Sequence, residues 1–319
     1  MIWYPNKSSL KKLLRYLKEF VHQDYTPSVY LFVCFFLIAG ISFNYSFQLE
    51  NQWIRGQENF TSEFFSFLVL YCLAYYGVLF SYLLIQGKNY FKNRALLLKS
   101  FLALVLIAFD RSFDLSSGWL QYALDTSAAN ALYLSKIINL FYPSIVYLLI
   151  IFLIYKLYDR GSGSVYGFSL RRFDVRPYGY MLLCMIPLLF WASLQPDFTN
   201  QYPFFKYWRY EPAFDWSGRK MFWLYEFFYL ANFINIELVF RGLLVIGLVR
   251  AMGKDAVLPM VVTYAFLHFG KPCAETISSV FGGYILGVFA YRTENIMGGI
   301  FIHIAIAFLM DLFALWQLS

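Results

Sequence analysis

Charge is scarce in this chain. Only 14% of its 319 residues are Asp, Glu, Lys or Arg, where a soluble domain carries about a quarter, and that shortage excludes an ordinary soluble globule. Cysteine is limited to Cys34, Cys72, Cys184 and Cys273, all in or beside apolar runs and none in a CxxC pair, which excludes a disulfide framework. Histidine is scarcer still, at three residues: His22, His268 and His303. No HExxH helix is written in the sequence, so the metalloprotease helix that carries two zinc-binding histidines is excluded. No internal repeat is visible, and nothing points to a transporter built from inverted halves. The N-terminus is too long and too basic before its first apolar run to read as a cleaved signal peptide.

What is abundant is apolar surface, with 60% of residues hydrophobic and 22% aromatic. Apolar runs fall at 28–47, 61–86, 95–109, 132–155, 178–196, 221–249, 256–269, 275–291 and 296–316. Most are long enough to cross about 30 Å of hydrocarbon as helix, and lone strands cannot satisfy their backbone in lipid. The expected fold is therefore all-α, a polytopic transmembrane helical bundle of about 8–9 spans, with the runs at 95–109 and 256–269 short for the task.

A net charge of +7 does not point to nucleic acid here, because the basic residues sit between apolar runs and form no basic-aromatic groove. They gather before the first run, at Lys88, Lys92 and Arg94, at Lys156, Arg160, Arg171, Arg172 and Arg176, and at Arg250 and Lys254. Every second connection is basic, which places the N-terminus in the cytoplasm of a cell (inner) membrane and makes lipid a partner. Residues 7–21 carry Leu10, Leu13, Leu14, Leu17 and Val21 on one helical face, with Lys11, Lys12, Arg15 and Lys18 around the other. Such a helix anchors topology at an anionic surface. The chain divides into a basic amphipathic segment (1–27), N-terminal spans (28–196), an aromatic connection (197–220) and C-terminal core helices (221–319). The aromatics of 197–220 suit the water–lipid interface, with a lid over a site as the other reading.

Ionisable residues inside spans are costly and mark function by default. Glu237 and Arg241, four apart on one helix, can pair, and Glu226 and Phe233 fall near the same face. Such a pair either fixes packing or belongs to a site. His268 and His303 stand in the following apolar runs, and imidazole beside carboxylate is a standard means of activating water. Ser279, Gly283 and Gly287, spaced by four, allow close helix packing, and Gly298 and Gly299 open the last span.

Three short stretches, in this order, resemble the CPBP (CAAX prenyl protease and bacteriocin-processing, or Abi) family of intramembrane proteases over roughly residues 221–316. Its Glu-Glu-x-x-x-Arg motif reads Ile236-Glu237-Leu238-Val239-Phe240-Arg241, its Phe-x-x-x-His reads Tyr264 to His268, and its His-x-x-x-Asn reads His303 to Ala307. The stretches Gly283 to Val288 and Arg292 to Ile296 fit the family's glycine-bearing helix and turn. The resemblance implies an intramembrane endopeptidase that hydrolyses a peptide bond in a membrane-associated peptide or protein. It matches Glu237 and Arg241 to the family's structural pair, and His268 and His303 to its site histidines.

The chain departs from that pattern at three positions, of which Tyr264 in place of phenylalanine is a mild change. Ile236 stands where the family has the water-activating Glu, and Ala307 where it has a polar residue thought to hold the oxyanion. Those losses support a second reading, a catalytically inactive CPBP-like scaffold or peptide-binding protein with a protein partner. Glu275, in the first turn of the helix after Pro272, is the expected substitute base beside His268, with helix-dipole compensation as its other role. Asp311, two turns beyond His303 and roughly on the same side, is a further candidate carboxylate that reads better as an interfacial residue, and Cys273 reads as a weak candidate nucleophile. The resembled endopeptidases are described as metal-independent, and neither a metal nor another cofactor is expected.

Overall fold

A computed structural model describes residues 9–161, 163–171 and 173–318; the side chains of Ser9, Leu10, Lys12, Leu13, Gln23 and Asp24 fall outside that description. Lys7, Leu10, Lys12, Leu13 and Arg172 of the sequence reading therefore lie, wholly or in their side chains, beyond the described residues. The described residues form helices α1 (Ser9–Asp24), α2 (Pro27–Phe47), α3 (Phe60–Gln86), α4 (Arg94–Ser112), α5 (Ser117–Leu124), α6 (Ala128–Tyr158), α7 (Arg176–Ser193), α8 (Pro196–Gln201), α9 (Gly218–Glu237), α10 (Val249–Met252), α11 (Val257–Leu267), α12 (Cys273–Thr293) and α13 (Met297–Leu318). Among them there is no sheet, so the all-α reading stands.

Helix boundaries follow local chemistry. Asn59 accepts from the Ser62 amide to open α3, Asn93 from Leu96 to open α4, and Ser217 from Lys220 to open α9. Pro27 begins α2, where a missing amide hydrogen costs nothing. Gly87, at φ 67°, closes α3 in the left-handed region that a glycine enters without strain.

Six stretches are long and apolar enough to cross a membrane: 27–47, 60–86, 128–158, 218–267, 273–293 and 297–318. This count is below the 8–9 of the sequence reading. The two runs 221–249 and 256–269 fall within one helical stretch, and α11 has 11 residues, about 16 Å of rise, too short to span alone.

The two ends of the bundle gather different groups. At one end Lys88 and Tyr90 donate to Asp255, and Lys99 and Tyr166 donate to Asp159, tying connections 87–93, 159–175 and 253–256 together. At the other, Arg111 and Arg55 pair with the fully buried Glu50, and Asn44 bonds both the Glu50 amide and the Phe269 carbonyl. α1 lies against α12 through Phe20, 1% exposed, which meets Tyr284 and Tyr291 edge-on. Leu14 and Val21, expected on its apolar face, remain exposed.

The connection between α7 and α9 folds back onto the bundle. Tyr202 and Phe205 are buried and pack on Ala314 and on Tyr133 and Met221, respectively. Its aromatics thus form a folded cap over the bundle end, because stacking them buries apolar surface. Trp208 and Phe214 stay exposed.

Candidate active site

The site is assembled on α9, α11 and α13. Glu237 is the last residue of α9, and Arg241 lies in the π-helical turn Leu238–Leu243 that follows. Wide turns of this kind recur at functional sites. Glu237 Oε1 stands 3.0 Å from Arg241 Nη1 and 2.5 Å from His303 Nδ1 on α13. These contacts are short but poorly aligned as hydrogen bonds, so charge holds the carboxylate more than direction does. Glu237 and Arg241 have no exposed side-chain surface, whereas His303 keeps 13% of its own. Burying a carboxylate and a guanidinium together is tolerable only because they are paired.

Tyr264 stands between the two histidines. Its hydroxyl is 2.8 Å from His303 Nε2, and its carbonyl is 2.8 Å from His268 Nδ1. A carbonyl only accepts, so His268 Nδ1 carries the hydrogen and Nε2 keeps a lone pair in the neutral ring. The guanidinium of Arg241 lies 4.3 Å from the centroid of the Tyr264 ring, Phe240 meets that ring edge-on, and Phe233 stacks on His303. Gly283 of α12 admits the Tyr264 ring, and Gly299 admits the Glu237 carboxylate. Two of the small-residue positions read from the sequence, Gly283 and Gly299, are therefore where α12 and α13 close on the site, while Gly287 meets Met260 and Gly298 meets Tyr178.

Glu275 takes other partners. It stands in the first turn of α12 as expected, but both its oxygens accept from Tyr202 Oη, at 2.9 and 2.8 Å, and Lys271 lies 3.9 Å away. The approach to His268 is made instead by Thr276, which donates to the His268 carbonyl, with Tyr45 against the same hydroxyl. Burial, and then the Glu275 carboxylate, push the Tyr202 hydroxyl well above its usual range, so it remains a donor that occupies Glu275.

Asp311 is also placed differently from the sequence reading. It is 1% exposed, inside the bundle, and faces Glu226 of α9 within hydrogen-bonding reach. The Phe204 amide donates to its Oδ2. Cys273 is exposed at the start of α12. Ile236 is half-buried against the main apolar core, and Ala307 is buried. Among the described residues, no group of three or more His, Cys, Asp or Glu side chains is arranged to hold a metal ion.

Comparison with family models picks out this same region. Residues 218–309 match the family described as type II CAAX prenyl endopeptidase Rce1-like. A Rce1-like domain of the CAAX-protease (Abi/CPBP) superfamily thus occupies part of the chain, and it contains Glu237, Arg241, Tyr264, His268 and His303. Comparison with curated proteins and with solved structures finds no match. Sequence reasoning treated Tyr264 as a mild change from phenylalanine; the signal available was a hydroxyl placed one turn before a histidine in an apolar helix.

Proposed function

We propose that this chain is an intramembrane endopeptidase of the CPBP type, cleaving a peptide bond in a membrane-associated peptide or protein. The carrying observation is the arrangement of two imidazoles around Tyr264, one backed by a buried carboxylate and both partly exposed. Water oxygen attacks the carbonyl carbon as an imidazole takes its proton. The C–N bond then breaks and the nitrogen receives that proton, giving a carboxylic acid and an amine. His268, with its Nε2 lone pair, accepts a hydrogen of the attacking water in this reading, and the Glu237–Arg241 pair orients His303. Glu275 is left out of the chemistry because Tyr202 and Lys271 occupy it. The site lies in an integral membrane protein of the cell (inner) membrane with a cytoplasmic N-terminus, in a bundle of about eight membrane-crossing segments once α4 and α7 are added to the six long apolar stretches.

A specific observation favours a second reading. Ile236 packs on the core where the resembled family carries its first Glu, and Ala307 adds no polar group. Those positions suit a catalytically inactive membrane scaffold that binds a peptide or a protein partner. Purified protein in nanodiscs, given internally quenched peptides that include a farnesylated C-terminal CAAX sequence, separates the two. Cleavage by wild type, with loss of about 100-fold or more in kcat for His268→Ala at unchanged melting temperature, is expected. Binding of these peptides without cleavage would establish the scaffold.

A further inference from the structure

Both ring nitrogens of His303 already have partners. Nδ1 lies 2.5 Å from the Glu237 carboxylate and Nε2 lies 2.8 Å from the Tyr264 hydroxyl. Two lone pairs would repel at such distances, so one atom of each pair carries a hydrogen. With the hydrogen on Nδ1, held beside the carboxylate by charge more than by alignment, the neutral ring accepts the Tyr264 hydrogen at Nε2. Phe233 covers one face of the same imidazole. A water molecule therefore has no free nitrogen of His303 to approach. The hydroxyl of Tyr264, on a side chain 5% exposed, is the polar group next to His303 Nε2.

We infer that Tyr264 is a catalytic residue, the proton carrier between the hydrolytic water and the Glu237–His303 pair. This rests on the peptidase reading above. Water gives a proton to Tyr264 Oη while the Tyr264 hydrogen passes to His303 Nε2, and the resulting hydroxide attacks the carbonyl carbon. The imidazolium formed is stabilised by Glu237. On breakdown of the intermediate the proton returns by the same path: His303 to Tyr264, and Tyr264 to the departing nitrogen. Every atom starts and ends in place, and no further reactant is needed. His268 accepts the second water hydrogen at Nε2 and holds the water for attack, its tautomer set by the carbonyl of this same tyrosine. In this way the chain replaces the carboxylate absent at position 236: Glu237 acts at one remove, through an imidazole and a phenol. A phenylalanine at 264 would leave His303 Nε2 without a partner and the relay cut.

The test uses the full-length protein in nanodiscs and the quenched peptide that wild type cleaves. Tyr264→Phe removes one oxygen, and kcat is expected to fall about 100-fold or more, the usual size of an acid–base contribution, with KM within about threefold. A kcat within about threefold of wild type would overturn the relay while leaving the peptidase reading intact. Cleavage by neither protein overturns the peptidase reading and the relay with it. Because Tyr264→Phe also loosens His303, a second measurement keeps the shape constant. Replacing Tyr264 by 3-fluorotyrosine, whose hydroxyl is more acidic, is expected to move the alkaline limb of the kcat profile to lower pH. A limb that does not move overturns the relay, since a purely structural tyrosine would leave it in place.

Discussion

Arg241 is fully buried, and two neighbours make that possible: the Glu237 carboxylate at 3.0 Å and the face of the Tyr264 ring. An unpaired guanidinium in an apolar bundle would be far costlier than a paired one. Glu237→Gln removes the countercharge but keeps the shape. Breaking a buried pair from one side costs about 3–5 kcal/mol, so this variant is expected to melt well below wild type or fail to assemble. Thermal unfolding in detergent, followed by tryptophan fluorescence, reads the effect. A melting temperature equal to wild type would mean that water reaches Arg241 and that the pair does not hold the site. His268→Ala should behave in the opposite way, losing activity while keeping its melting temperature, because its ring carries no buried countercharge among the described residues and its Nδ1 hydrogen bond is to a helix carbonyl four residues back.

Helices α12 and α13 close on the site through glycines, and these glycines are not equivalent. At Gly299 an added Cβ would fall on the Glu237 carboxylate, which is held from two sides and cannot retreat. At Gly282, on the outer surface of α12, an added Cβ meets nothing within 4 Å. Gly299→Ala is thus expected to displace Glu237 and abolish both assembly of the site and cleavage. Gly282→Ala should be neutral or stabilising by up to about 1 kcal/mol, the helix-propensity difference between the two residues. Melting temperatures of the two variants measured side by side check this, and equal destabilisation by both would show that close approach at Gly299 is not what positions α13. The π-helical turns belong to this scale too. Leu49–Ile54 carries Glu50 and Leu238–Leu243 carries Arg241, and each wide turn brings a charged side chain fully inside the fold.

Across the whole molecule the polar connections sort into two sets by contact. Asp255, Asp159 and their lysines belong to one end, while Glu50, Arg111, Lys271, Glu275 and the α7–α9 cap belong to the other. Basic connections prefer the cytoplasm. A single cysteine at Arg171 in a background without the four native cysteines should then be labelled by an impermeant maleimide only after the membrane is opened. A cysteine at Trp208, which is exposed on the opposite connection, should be labelled in intact cells. Labelling of residue 171 from outside would invert the orientation.

Membrane residence, the all-α class and the Glu237–Arg241 pair were legible from the chain alone. Apolar length and charge scarcity are properties of composition, and a spacing of four is settled within one helix. The region from 218 to 309 was legible for a similar reason, since its short motifs keep their order along the chain. Other features needed the packed bundle. That His303 and His268 meet at one tyrosine depends on how α11 and α13 cross, and no periodicity in either helix encodes that crossing. Glu275 turned to Tyr202 because the cap folds over the bundle end and brings a buried hydroxyl to it, which local spacing could not reveal. Asp311 and Glu226 face each other because α9 and α13 pack side by side, a pairing that neither run shows by itself. Sequence by itself determined which groups must find a partner in lipid; tertiary structure decided which partner each one found, because pairing between helices is set by three-dimensional contact and not by distance along the chain.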